Sequence, residues 1–133
     1  MRRISSKTAA RNAEVAPVRD QLRIGACDWC ASDRHGLVLH EIANGPVRSA
    51  ALDCPFAVVR LCCRCHQDLH ELPKRHAVCI GLALIHYLRP EDYSLARFYR
   101  LTRRNWPDEA EVEIWYERIL NGRSKRLSFV PNS

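Results

Sequence analysis

The spacing of apolar and polar positions changes character along the chain. Residues 1–20 have no apolar periodicity and are rich in Arg, Ser, Ala and Asn, which reads as a mobile arm with a short helix around 8–15, broken at Pro17. Residues 37–42 and 56–61 are short apolar runs of strand composition, separated by a turn at 43–46 and a loop at 47–55. Residues 64–71 form a short helix stopped at Pro73, and the remainder is helical. The segment 76–88 is apolar on most faces, which implies burial, and Pro90 breaks it. Ser94 caps a helix through Arg104 with Leu95, Phe98, Tyr99 and Leu101 on one side. A last helix runs from Pro107 or Asp108 to about Leu120, anchored by Val112, Ile114, Trp115, Ile119 and Leu120 and stopped at Asn121-Gly122.

This pattern divides the chain into a basic flexible arm (1–20), a central unit (21–73), a helical C-terminal extension (74–122) and a basic, frayed tail (123–133). At 133 residues there is room for one domain with extensions. The longest apolar run, 77–88, contains His86 and lies between Arg75 and Arg89, too short to span a membrane. The start, Met1-Arg2-Arg3, has no apolar leader, so the expected location is the cytoplasm. Net charge is +6, and residues 1–26 alone hold six basic and two acidic groups. A basic arm suits a polyanionic partner such as nucleic acid, and equally a solvated tail that aids solubility.

Candidate chemistry is concentrated in the central unit. Cys27-x2-Cys30 and Cys62-x2-Cys65 have the spacing of a four-cysteine structural Zn²⁺ site, in which each turn supplies two sulfurs. A disulfide framework is disfavoured by the odd total of seven cysteines. Cys54, Cys63 and Cys79 remain outside this set; Cys63 could exchange with Cys62 only by breaking the spacing, and Cys79 reads as a small buried hydrophobe. Gly25 and Gly36 supply bends around the first pair, and Trp29 reads as a cover over the metal turn. The second pair runs into His66 and His70, four apart and so on one face of a helix. With His40 on the first strand, they suggest a second, open metal site. His35, His76 and His86 have no matching role, and Trp106 and Trp115 read as core.

A His on the first strand followed by His-x3-His on the helix resembles the HNH nuclease family. The resemblance covers Cys27 to His70 and rests on C-x2-C, Leu39-His40-Glu41-Ile42 and Leu61-Cys62-x2-Cys65-His66. The stretch Leu88-Arg89-Pro90-Glu91-Asp92-Tyr93-Ser94 is similar to the helical extension of small HNH proteins of bacteriophages and prophages. The fold it implies is α+β: a small ββα-metal unit with a four-cysteine zinc site, wrapped by C-terminal helices. The implied activity is metal-dependent cleavage of double-stranded DNA, in the bacterial host cytoplasm if the chain is phage-encoded. His40, His66 and His70 fall on ligands of a divalent cation (Mg²⁺, Mn²⁺, Ni²⁺ or Zn²⁺), and Glu41 falls on the general base. In another register His40 is the base, leaving two histidines on the cation.

The sequence departs from the family at two signature positions. Glu41 replaces a histidine base, and a carboxylate with a pKa near 4 is weaker unless burial or a neighbouring anion raises it. Ala57 stands where the family has an asparagine that holds the inter-strand loop. Arg48 and Arg60 are candidates to replace that asparagine and to stabilise phosphate charge. The alternative function is a catalytically decayed HNH scaffold acting as a DNA-binding, phage-packaging or adaptor protein.

Overall fold

The computed structural model describes residues 6–32, 36–43 and 47–122, with the side chain of Arg48 outside the described set. Its elements are α1 (Ser6–Leu22), β1 (Leu37–Glu41), α2 (Arg48–Ala51), a 3-10 turn (Pro55–Ala57), β2 (Val58–Cys62), α3 (Cys63–His70), α4 (Lys74–Leu88), α5 (Leu95–Thr102) and α6 (Glu109–Gly122). The protein is thus mixed, mostly helical, with one two-stranded antiparallel sheet among the described residues. The turn expected at 43–46 and the tail at 123–133 fall mostly or wholly outside the described residues.

The sheet register pairs His40 with Val59 and Glu41 with Val58. Side chains alternate across a strand, so Val38, His40, Val59 and Leu61 share one face, and Leu39, Glu41, Val58 and Arg60 share the other. The second strand begins two residues later than its composition suggests, because Pro55 opens a 3-10 turn instead. Part of the expected loop is helical as well, at α2.

α4 is the centre of the molecule. Every residue from Val78 to Ile85 is buried, which accounts for the absence of a polar stripe in that stretch. It packs most extensively on α6 and also meets β2 and α3. Gly81 is required by this packing: a Cβ there would lie 2.8 Å from the Ile42 side chain, just beyond the end of β1. α5 is capped by Ser94, whose hydroxyl accepts from the Arg97 N–H at 3.2 Å. α6 opens on a reciprocal pair, in which Asp108 accepts from the Glu111 N–H at 2.8 Å and Glu111 accepts from the Asp108 N–H at 3.3 Å.

Two expectations are corrected in the helices. Ile114 and Leu120 are exposed, at 55% and 45%, so only Val112, Trp115 and Ile119 anchor α6. Residues 6–22 form one continuous helix through Pro17, rather than a short helix ending before it. Within α1 only Val15 is buried. It lies four residues after Arg11 and four before Arg19, so the three share one stripe. Arg11 donates to the Ser49 carbonyl at 3.0 Å and to Asp53 at 2.8 Å, and Arg19 donates to the Leu52 carbonyl at 3.0 Å. α1 is therefore docked on the inter-strand segment through two guanidinium groups on either side of one valine.

Candidate metal centres

The four paired cysteines come together. Cys27, Cys30, Cys62 and Cys65 place their sulfurs within 4.8 Å of one another, and Cys30 and Cys62 are 3.8 Å apart. A tetrahedron with zinc–sulfur bonds of about 2.3 Å needs sulfurs roughly 3.8 Å apart. The cluster can therefore hold a metal such as zinc. All seven cysteines are free thiols. Cys54 bonds the Ala50 carbonyl, Cys63 is exposed, and Cys79 is buried in α4 with its thiol pushed up to about 11 by burial.

Local backbone structure explains the convergence. The first turn closes through Ala31 N–H to Cys27 C=O and Cys27 N–H to Ser32 C=O, both 2.9 Å, with Ala31 in the left-handed region at φ 63°. Asp28 then docks this turn on β2. Its N–H donates to the Arg60 carbonyl at 2.8 Å, and its carboxylate accepts from Arg60 N–H at 2.9 Å and from the guanidinium at 3.1 Å. Trp29, between the first two cysteines, is fully buried. On the second turn, Cys62 caps α3, its sulfur accepting from the Cys65 N–H at 3.5 Å. Crowding shows in the acidities. A hydrogen bond from Cys65 draws the Cys27 thiol down to about 4, and the same contact pushes Cys65 up. Four thiolates at one point need a cation between them.

The three histidines also converge. The Nε2 atoms of His66 and His70 are 3.0 Å apart, and the His40 ring lies 5.3 and 5.4 Å from theirs. One ligand nitrogen from each can lie within 4.8 Å of the others. Burial, and then the neighbouring imidazoles, lower His40 to about 4; burial and His70 lower His66. Both are therefore neutral near pH 7, the form that donates a lone pair to a metal. Unlike the sulfur cluster, this one is open: His70 is exposed, and a cleft of about 240 Å³ beside His40 and His70 is floored by Leu69 and Leu72 and edged by Lys74.

Glu41 is close enough to oppose the downward shifts of His40 and His66. Its carboxylate also forms an ion pair with Arg19 of α1 at 3.1 Å, with the two side chains only 10% and 16% exposed. A carboxylate so enclosed needs a counter-charge, and removing one partner of a buried pair costs on the order of 3–5 kcal/mol.

Arg60 is not free for the phosphate role expected of it, because its fork is taken by Asp28. Nor does it hold the inter-strand loop. Arg89, at the end of α4, does so by donating to the Val58 carbonyl at 2.7 Å and the Pro55 carbonyl at 3.5 Å, on either side of Ala57. Arg89 also approaches Asp28 at 3.7 Å. Arg48 begins α2, and its side chain lies outside the described residues. Sequence reasoning missed Asp28, Arg19 and Arg89. A signal existed for two of them: an acid inside a C-x2-C turn, and an arginine directly after a helix whose middle is apolar. His86 stacks between Tyr93 and Tyr116 at 4.3 Å from each, away from the cluster, and Trp106 lies under Arg75 and Arg104. Among the described residues no helix is long and apolar enough to cross a membrane. No family model, curated protein or solved structure matches the chain.

Proposed function

We propose that this chain is a metal-dependent endonuclease of HNH type, acting on the phosphodiester bonds of double-stranded DNA. The observation that carries the reading is the open triad of His40, His66 and His70, drawn from a strand and the helix that follows the sheet, with Glu41 the next residue after His40 on that strand. A closed cluster of four cysteines at the start of the same helix supports it, as the structural Zn²⁺ site of such a unit. The net charge of +6 favours a polyanionic substrate.

In this mechanism the three imidazoles hold a divalent cation, which when bound supplies Lewis-acid stabilisation to the scissile phosphate. Glu41 orients the attacking water and accepts its proton. Lys74, at the edge of the cleft, takes the phosphate-binding part that Arg60 cannot. Arg89 replaces the missing loop asparagine, so Ala57 does not by itself leave the scaffold unsupported.

A second reading is a DNA-binding or adaptor protein on a decayed scaffold. It is favoured by the Arg19–Glu41 pair, since the carboxylate that would serve as base is already engaged in an ion pair. One assay separates the two: supercoiled plasmid with Mg²⁺, Mn²⁺, Ni²⁺ or Zn²⁺, against EDTA. The nuclease reading expects nicking with at least one cation and a loss of about 10²–10⁴-fold in Glu41→Gln, with DNA affinity retained. Binding without cleavage under every cation selects the second reading.

A further inference from the structure

We infer that Arg19 is the positioning residue for Glu41, and that α1 thereby belongs to the reaction centre. This rests on the endonuclease reading. Arg19 Nη1 lies 3.1 Å from Glu41 Oε1, as an ion pair, and donates to the Leu52 carbonyl at 3.0 Å, so the guanidinium links the carboxylate to the inter-strand segment. The helix that carries it has a single buried residue, Val15, and a second anchor at Arg11, which grips Ser49 and Asp53. Arg11, Val15 and Arg19 follow each other at four-residue steps, so the docking stripe of α1 ends on Glu41.

The strand creates the need for such a residue. His40 and Glu41 are neighbours on β1 and leave it on opposite faces, yet a base must reach the same reacting centre that His40 helps to build. A glutamate has three rotatable side-chain bonds, and without an anchor its carboxylate would sample positions away from the histidines. The ion pair to Arg19 limits those positions. Its bridging geometry makes Arg19 a positioning group and not a catalytic one.

The test compares the 133-residue wild-type chain, Arg19→Ala, Arg19→Lys and Arg118→Ala on one plasmid substrate with the best cation, alongside zinc content and thermal melting. Arg19→Ala is expected to lose roughly 10- to 100-fold in kcat with KM changed little, as for a misplaced reacting group. Arg19→Lys restores part of kcat. Arg118→Ala, which changes only a side chain lying over Trp115 on α6, keeps kcat within about twofold of wild type. A wild-type rate in folded Arg19→Ala overturns the inference and leaves the nuclease reading standing. A faster rate also overturns it, since the pair would then be a latch restraining the base. If wild type cuts with no cation, the nuclease reading itself fails and the inference falls with it.

Discussion

The sulfur cluster and the imidazole cluster are built on the same helix and differ in almost everything else. Three of the four cysteines are buried at 3% exposure or less, Trp29 between the first two is fully buried, and the first turn is pinned to β2 by Asp28 and Arg60. The histidines stand at an edge, with His70 exposed and a cleft alongside. The first arrangement offers four sulfurs to one ion and suits a role in stability; the second leaves room for another ligand and suits a role in chemistry. Much of the contrast comes from the residues behind the ligands. Asp28, Arg60 and Arg89 surround the sulfur turn, whereas the imidazoles are ordered mainly by one another and by their elements.

The largest expected effect lies on the sulfur side. Cys65→Ser removes one ligand of a metal whose binding contributes on the order of 10 kcal/mol, comparable to the whole stability of a domain. It should be insoluble or molten, read as loss of zinc per chain and of a cooperative melt. Cys54→Ser should keep its zinc, because Cys54 bonds Ala50 and stands outside the cluster. Retained zinc in Cys65→Ser would erase the contrast between the two clusters.

The counterpart on the open side is His40→Ala. It should stay folded, keep the sulfur-bound zinc and lose the second cation, seen as a drop of one metal equivalent by elemental analysis with Mn²⁺ or Ni²⁺ present. Global unfolding of this variant would show that both clusters are structural.

The order of the clusters was legible in the sequence because short-range spacing dictates it. Two C-x2-C pairs and a His-x3-His have few ways to fold, and all seven ligand candidates converge as two groups. The long-range supports were not legible. Arg19 meets Glu41 across 22 positions and Arg89 meets Val58 across 31, and nothing in local pattern records such pairings. α1 escapes pattern reading for a related reason: its docking uses two arginines and one valine, which carries no amphipathic signal. The buried α4, by contrast, is plain from its unbroken apolar composition.

Acid should sharpen the comparison at the imidazoles. His40 has a folded pKa of about 4 against an ordinary 6.5, so between these values the unfolded chain binds the extra proton. The contribution is fully present above pH 6.5 and is lost as the pH falls through 4, amounting to a few kcal/mol at most. Denaturant midpoints of wild type and His40→Asn, both without added metal, should converge as the pH drops from about 7 to about 4. Using the difference between the two proteins cancels what the cysteines contribute. Parallel curves would mean that burial does not hold the ring neutral.

The smallest of these effects concerns Arg89, which holds the inter-strand loop. Arg89→Ala leaves the Val58 and Pro55 carbonyls without their donor, while Asp28 keeps Arg60. A loss of about 1–3 kcal/mol in denaturant unfolding is expected, with zinc retained. No loss would hand the support of the loop back to α1.

α3 has a consequence of its own. Its cap is Cys62, its third residue is Cys65, and His66 and His70 follow at once, so a rod of eight residues, about 12 Å long, carries ligands of one kind at its head and of another along its body. Whatever orders the rod at one end orders it at the other. Were both ends to hold an ion, their occupation would be linked through this one helix, and such linkage is reciprocal. Any gain in affinity at the imidazoles from filling the sulfurs would then equal the gain at the sulfurs from filling the imidazoles.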